Sequence, residues 1–501
     1  MGAEQIFLGL DSGTQSTKGL ALDRDTGEVL AEAHALHDII ENSQGRREQD
    51  PAWWVDATDQ VIGSLCRQLG PRRSRVRGIG VSGQQHGFVP LDKKGEVIRP
   101  AKLWCDTATT AQCAAITEAA GGQRAVVEAI GNSVAAGFTA SKVVWLRDNE
   151  PENFARLATI LLPHDYLNFW LTGECRTECG DASGTAYFDV ANRRWSKPLL
   201  DAMDPNGRLI DCLPELISSD QPVGVVRSDL AREFGFGPDV LVSSGGGDNM
   251  IAAIGTGNVV PGVVTASLGT SGTIYAHSDT PVIDPQGELA AFCSSTGGWL
   301  PLVCTMNVTV ATESTRRLLG LDTAGLNRLA EEAGAGASGV MLLPFFNGER
   351  TPALPAATAS LHGLTPSNYT PANLCRAAME GATFGLRYGL DVLRRLGVRP
   401  VEVRLVGGGG KSALWRQMVA DVFGCPVVRP VVEEAGALGA AIQAVWCART
   451  AEGGRTALKD LTDRYVAMAP GAEPDAGAEA RYAELYERYL ELDRALRPVN
   501  G

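Results

Sequence analysis

An apolar run that breaks into a turn of small residues and resumes as a second strand occurs twice in this chain, once in each half, and the first copy ends at a carboxylate. In the first copy, Ile6 to Leu10 leads to Asp11, the chain turns through Gly13, Thr14 and Gln15, and the apolar pattern resumes at Gly19 to Leu22. In the second, Gly262 to Leu268 leads into Gly269-Thr270-Ser271-Gly272 and on to Thr273. Each copy reads as a β-hairpin. Glycine lets the backbone turn tightly and approach a ligand closely, and successive N–H groups in such a turn make an anion-binding nest. In the first copy Lys18 supplies a nearby point charge for a phosphate, and Asp11 can hold a hydrated magnesium ion by its oxygens. Taken singly, each is an ordinary hairpin. The recurrence predicts two similarly built domains facing each other, with one turn at each end of a polyphosphate. The complete Gly-x-x-x-x-Gly-Lys-Ser/Thr phosphate loop does not occur, and no Gly-x-Gly-x-x-Gly follows the first strand.

A chain of 501 residues, 44% hydrophobic and 21% charged, is long enough for two or more globular domains. Its formal charge of −13 argues against general affinity for nucleic acid or anionic membranes. A phosphate must therefore be met locally, by backbone N–H groups, magnesium and a few cations. The 11 cysteines are scattered; Cys175 and Cys179 are the closest pair and read as packing residues. With reduced thiols, no basic-then-apolar leader and no apolar run of membrane-spanning length, the expected setting is cytoplasmic.

Several strand ends carry polar residues where α/β sheets bind ligands. Val76 to Ser82 runs into Gly83-Gln84-Gln85-His86-Gly87, whose amide and imidazole groups both donate and accept, as a polyhydroxylated substrate requires. Trp104 is either core or a platform for the apolar face of a sugar, with Asp106 close by. Phe138 to Asn149 reads as a packing helix with Val144 and Trp145 inward. The Leu161–Leu167 stretch and Asp181–Thr185 read as structural, although the latter turn can rim a pocket. Asp239 to Ser244 is a strand followed by Gly245-Gly246-Gly247-Asp248-Asn249. Asp248 reads either as a helix cap or as a catalytic carboxylate around which three glycines clear space. Glu349 and Arg350 read as an ion-paired loop brace. Val403 to Val406 runs into four glycines, 407–410, and a capping Ser412; Gly408 and Gly409 offer a flat surface to a base or phosphate.

As an ordered set these motifs resemble the FGGY carbohydrate kinases and, within them, the xylulokinases. Gly137 to Asn149 is similar to the first family signature and Ala359 to Glu380 to the second. The resemblance implies an α/β chain of two ribonuclease-H-like domains, of the actin and sugar-kinase ATPase superfamily, around a central cleft. The N-terminal domain, residues 1–247, would hold the sugar and part of the phosphate site. The C-terminal domain, 248–501, would hold the nucleotide, with the hinge near 245–255. By resemblance Asp248 is the catalytic base and Asp11 positions magnesium through water. Gln85 and His86 contact the sugar, joined by Trp104, Asp106, Asp248 and Asn249. ATP would lie on Gly13, Thr14, Gln15, Lys18, Gly269, Thr270, Ser271, Gly408, Gly409 and Ser412. Dimers occur in the family, so a homodimer is expected. Two departures soften the substrate: Gln85 stands where methionine is common, and Cys105 where asparagine is usual. The implied reaction is phosphoryl transfer from ATP to the C5 hydroxyl of D-xylulose. The alternatives are another FGGY kinase acting on ribulose, glycerol or a different polyol, a silent sugar or nucleotide sensor, and a chaperone-type ATPase.

Overall fold

The structure is a computed structural model and describes residues 4–500. Its first large sheet contains β1 (Ile6–Ser12), β2 (Ser16–Asp23), β3 (Val29–Leu36), β4 (Val76–Gly83), β5 (Pro222–Val225) and β6 (Leu241–Ser243), in the spatial order β5-β6-β4-β1-β2-β3. The second contains β7 (Val263–Ser267), β8 (Gly272–Ala276), β9 (Leu302–Thr305), β10 (Glu402–Val406), β11 (Val427–Pro430) and β12 (Met468–Ala472), in the order β9-β8-β7-β10-β11-β12. Both follow one plan. A three-stranded antiparallel meander is joined through its first strand to two parallel strands, and an antiparallel strand closes the far edge. The two turns singled out in the sequence, β1–β2 and β7–β8, occupy equivalent places in the two sheets.

Around the sheets pack α1 (Pro51–Leu69), α2 (Thr139–Asn149), α3 (Pro163–Thr172), α4 (Asp248–Gly255), α5 (Pro371–Arg395), α6 (Ala413–Phe423), α7 (Ala435–Ala451) and α8 (Ala476–Asn500). α1 begins as its sequence predicts, with Asp50 accepting from Ala52 N at 3.0 Å and Pro51 in the first turn. In the second lobe α5 and α6 share a core with Tyr482, Tyr486 and Tyr489 of α8. On α2, Val144 is buried as expected; Trp145 is half-buried and carries the Lys102 ammonium 4.0 Å from its ring centroid.

The least local feature is α7. Although it comes from the far end of the chain, it lies on the first sheet. A Cβ on Gly9 of β1 would fall 1.8 Å from Ala437 O, and one on Gly80 of β4 would fall 2.0 Å from Ala440 O. α4 meets α7 as closely, since a Cβ on Gly255 would stand 1.8 Å from Ala435 O. Phe7, Leu20, Ile251, Ile254 and the alanine-rich face of α7 thus form one core. A second link runs through residues 289–299, where Ala291 and Asn132 exchange two hydrogen bonds of 2.7 Å. No helix among the described residues is long and apolar enough to cross a membrane.

Gln443 of α7 fastens the strand that leads to Asp248. Its Oε1 accepts from Ser243 Oγ (2.8 Å) and Gly245 N (2.9 Å), and its Nε2 donates to Ser244 Oγ (3.0 Å) and Gly245 O (2.9 Å). Leucine there would orphan several buried polar groups, each costing roughly 1–3 kcal/mol. Gln443→Leu should lower unfolding stability by about 3 kcal/mol, measured by denaturant titration; an unchanged midpoint would show that the network contributes nothing.

Candidate active site

The three glycines after β6 owe their presence to crowding. Gly245 has φ +70°, in the left-handed region. A Cβ on Gly246 would meet Ser295 Oγ at 2.4 Å, and one on Gly247 would meet Gln85 Cγ at 2.7 Å. The chain can therefore deliver Asp248 to the floor of a cleft of about 410 Å³, lined by both halves of the chain. Asp248 is the first residue of α4, not its cap, a position held by Gly247. Its Oδ1 accepts from Asn249 N (2.7 Å) and Asn249 Nδ2 (2.9 Å). Burial, reinforced by the negative charge of Asp11, pushes its carboxyl up to about 7 against those hydrogen bonds.

Asp11 ends β1 and accepts from Ser82 Oγ at 2.6 Å. A Cβ on Gly436, in the first turn of α7, would fall 2.5 Å from its Cγ, so the positive end of that helix meets the carboxylate without a side chain between. Burial raises the Asp11 carboxyl above the ordinary range; Ser82 opposes the rise and Glu434 adds to it. No group of three or more His, Cys, Asp or Glu among the described residues is arranged to hold a metal unaided. One or two carboxylates completed by water and phosphate oxygens is nonetheless the ordinary magnesium donor set. Two buried carboxyls, Asp11 and Asp248, each raised by burial and Asp248 further by the charge of Asp11, fit such an ion.

The first turn is braced by amides. Thr14 Oγ1 donates to Gln84 Oε1 (3.2 Å) and accepts from Trp104 Nε1 (3.0 Å), and Thr14 O accepts from Gln49 Nε2 (2.8 Å). Gln49 Oε1 in turn accepts from Gln84 Nε2 at 2.8 Å and from Trp54 Nε1 at 2.9 Å. Gln15 is exposed at the turn and Gly13 N donates to Ser16 O at 3.0 Å. In the second turn, Gly269 O and Thr270 O accept from Thr309 N (2.9 Å) and Val308 N (3.1 Å), while Ser271 lines the cleft. The glycine run touches this turn, with Gly409 N donating to Leu268 O at 3.1 Å. Gly408 is open, and Ser412 caps α6 by accepting from Trp415 N at 3.2 Å.

Gln85, His86, Trp104 and Asn249 line the same cleft as Asp248. Trp104 is 38% exposed and faces the cleft, so it is not core. Gln85 Oε1 accepts from Asn249 Nδ2 (2.8 Å) and its Nε2 donates to Met250 Sδ (3.1 Å), so the residue that departs from the methionine pattern is tied to α4. The imidazole of His86 is held well below its usual range by burial and then by the charges of Lys142 and Arg350, and so is neutral.

Three expectations are corrected. Asp106 does not reach the cleft: it is fully buried, accepting from Lys102 Nζ (3.1 Å), Arg47 N (2.9 Å) and Ala108 N (3.0 Å). Lys18 is not a free ammonium; both Glu434 oxygens take it, at 2.8 and 3.0 Å, and it borders a separate surface hollow. Glu349 is not ion-paired with Arg350: it accepts from Met306 N (2.7 Å) and Arg350 N (2.8 Å), which leaves the Arg350 side chain to line the cleft. Sequence reading also missed Gln49, Phe138 and Phe292. Only Phe138 carried a signal, as the residue just before a helix start; Phe292 reaches the first lobe through a loop of the second.

Residues 6–255 match the N-terminal domain, and residues 264–448 the C-terminal domain, of the FGGY family of carbohydrate kinases. A xylulose kinase of Haemophilus influenzae is 47% identical over 491 residues, covering 97% of this chain and 99% of its own. One of Streptomyces coelicolor is 40% identical over 88% of this chain and 87% of its own. The crystal structure of a xyloylose kinase from Brucella ovis superposes with a TM-score of 0.92 at 32% identity, covering 99% of this chain and 100% of that one.

Proposed function

The chain belongs to the FGGY family of carbohydrate kinases, and from that membership we propose that it transfers a phosphoryl group from ATP to the C5 hydroxyl of D-xylulose. The observation that carries the reading is Asp248, a carboxylate of raised pKa on the floor of a cleft shared with Gln85, His86 and Trp104. An alcohol is a weak nucleophile at neutral pH, and a carboxylate within hydrogen-bond reach accepts its proton as the bond to phosphorus forms. Asn249 occupies Asp248 Oδ1, which leaves Oδ2 to take that proton. Trp104 supports the apolar face of the sugar, while neutral His86 and Asn249 Oδ1, whose Nδ2 is committed to Gln85 and Asp248, accept from its hydroxyls.

On this reading the N–H groups of Thr14 and Gln15 and those of Gly269, Thr270 and Ser271 hold the phosphates, while Gly13 shapes the first turn with its own N–H on Ser16 O. Gly408, Gly409 and Ser412 receive the adenosine. Asp11 would hold magnesium through water, and the ion would supply charge neutralisation on the phosphoryl oxygens. The two lobes are taken to part at 245–255 and to close over the substrates, which excludes water. All 11 cysteines are free, which supports a reducing, cytoplasmic setting, and a homodimer is the assembly carried over from the family.

The test is ADP release across D-xylulose, D-ribulose, L-ribulose and glycerol. D-xylulose should give the highest kcat/KM; a higher value with another acceptor would reassign the substrate and leave the kinase reading intact. The kcat/KM profile should fall about tenfold per pH unit on an acid limb with its midpoint at or below about 7, because the base must be ionised and a cation at Asp11 removes one cause of the raised pKa. A flat profile from pH 5 to 8 would remove Asp248 from that role.

A further inference from the structure

Behind His86 lies a buried chain of titratable groups that the mechanism above does not use. We infer that Asp181 is a positioning residue, whose carboxylate, itself anchored by His164, fixes the His86 imidazole with its proton on Nδ1 and leaves Nε2 bare toward the cleft. The inference rests on the reading of His86 as a sugar contact only for its functional consequence, not for the tautomer itself.

His86 is held in one pose. Its φ of +62° is a left-handed conformation rare for a residue with a side chain. Its carbonyl accepts from Lys142 Nζ at 2.6 Å and Thr139 Oγ1 at 3.2 Å. The ring packs edge-on to Phe138, with centroids 4.8 Å apart, and lies 5.4 Å from Phe292. Gly184 closes the third side, where a Cβ would fall 1.9 Å from the ring Cε1. With the ring so clamped, each nitrogen has a fixed outlook. Nδ1 is buried without a hydrogen-bond partner, and it stands 3.7 Å from Asp181 Oδ1. That same oxygen faces the His86 backbone N–H at 3.4 Å. Active-site hydrogen bonds are commonly long before the substrate presses the groups together, and an N–H aimed at a carboxylate is the only tautomer that satisfies both groups.

Asp181 cannot turn away. Its Oδ2 accepts from His164 Nδ1 at 3.0 Å, and His164 Nε2 makes a 2.9 Å ion-pair contact with Asp165 Oδ1. Burial alone would lower the His164 pKa; the carboxylates on either side outweigh it and keep the ring cationic. The turn bearing Asp181 is pinned by Glu178, which accepts from Gly180 N (2.7 Å) and Asp181 N (2.8 Å). His164, Asp165 and Asp181 are all buried, so no solvent competes for these contacts. A bare Nε2 accepts from a sugar hydroxyl and rejects a carbonyl oxygen at the same place, which gives the tautomer a role in choosing the acceptor.

The test is ¹⁵N spectroscopy of the full chain labelled in histidine, with the His86 signals assigned by their loss in His86→Asn. The wild type should show a protonated, pyrrole-type Nδ1 and a pyridine-type Nε2 at His86. Asp181→Asn, whose amide N–H faces Nδ1, should invert that pattern and raise the ketose KM about tenfold with kcat little changed. A protonated Nε2 in the wild type, or an unaltered pattern in Asp181→Asn, would overturn the inference. If the variant does not fold, the wild-type spectrum decides alone. Inversion of the pattern with KM unchanged for every ketose would uphold the positioning of His86 and remove it from the sugar site.

Discussion

Asp248→Asn is expected to yield a folded protein that still binds ketose and ATP but turns over about 10³-fold more slowly or worse. A positioned general base contributes on the order of 10²–10⁴ in rate, and asparagine keeps the shape while removing the proton acceptor. Oδ1 keeps its two contacts from Asn249, so local geometry should survive. The carboxyl is raised to about 7, first by burial and then by Asp11. Between the ordinary carboxylate range and 7 the folded protein therefore binds more protons than the unfolded chain, and stability falls as pH rises through that window. Removing the carboxyl should make the variant more heat-stable than wild type at pH 8, with the advantage shrinking toward pH 4. Near-normal ADP release with both substrates saturating would reject the base assignment, and a lower Tm at pH 8 would reject the electrostatic account of its pKa.

Gly9→Ala should cost more than most core substitutions. Its new methyl would stand 1.8 Å from the carbonyl oxygen of Ala437, an atom of helix backbone. No rotamer relieves such a clash, and α7 must lift off β1 with the core it shares with Phe7, Ile251 and Ile254. Overpacking ordinarily costs about 1–3 kcal/mol; a shift of a whole helix should exceed about 4 kcal/mol, seen as a large fall in denaturation midpoint or as insoluble protein. Gly63→Ala provides the contrast. In α1 its Cβ would meet only Arg67 Nη1 at 3.4 Å, and alanine is favoured over glycine within a helix by about 1 kcal/mol. Equal stability of the two variants would contradict the close packing of α7 on the first sheet.

What could be read before the structure was what local rules govern. The two hairpins, the Asp50-Pro51 helix start, the Gly-Gly-Gly approach to Asp248 and the Ser412 cap each depend on a few consecutive residues, and each stands where its pattern placed it. Lys18 could not be read so. Its partner Glu434 lies 416 positions away, and nothing near Lys18 reveals that a carboxylate will claim it. Asp106 misled because a Trp-x-Asp segment looks like a sugar platform, whereas Lys102 and the Arg47 backbone turn that carboxylate inward. Phe292 and Arg350 belong to loops of the second half that complete the pocket wall around His86. The seating of α7 on the first sheet is of the same kind: glycine at positions 9 and 80 becomes meaningful only once the opposing helix is known.

The sharpest test of two equivalent turns serving one carboxylate is ³¹P and ¹³C NMR of a reaction holding ATP, magnesium and D-xylulose, run beside an identical sample without sugar. The account predicts one new phosphomonoester on C5 of the ketose, formed mole for mole with ADP, and negligible ADP in the sugar-free sample. Equal ADP with and without sugar, or no phosphate ester on any ketose or polyol offered, would contradict it.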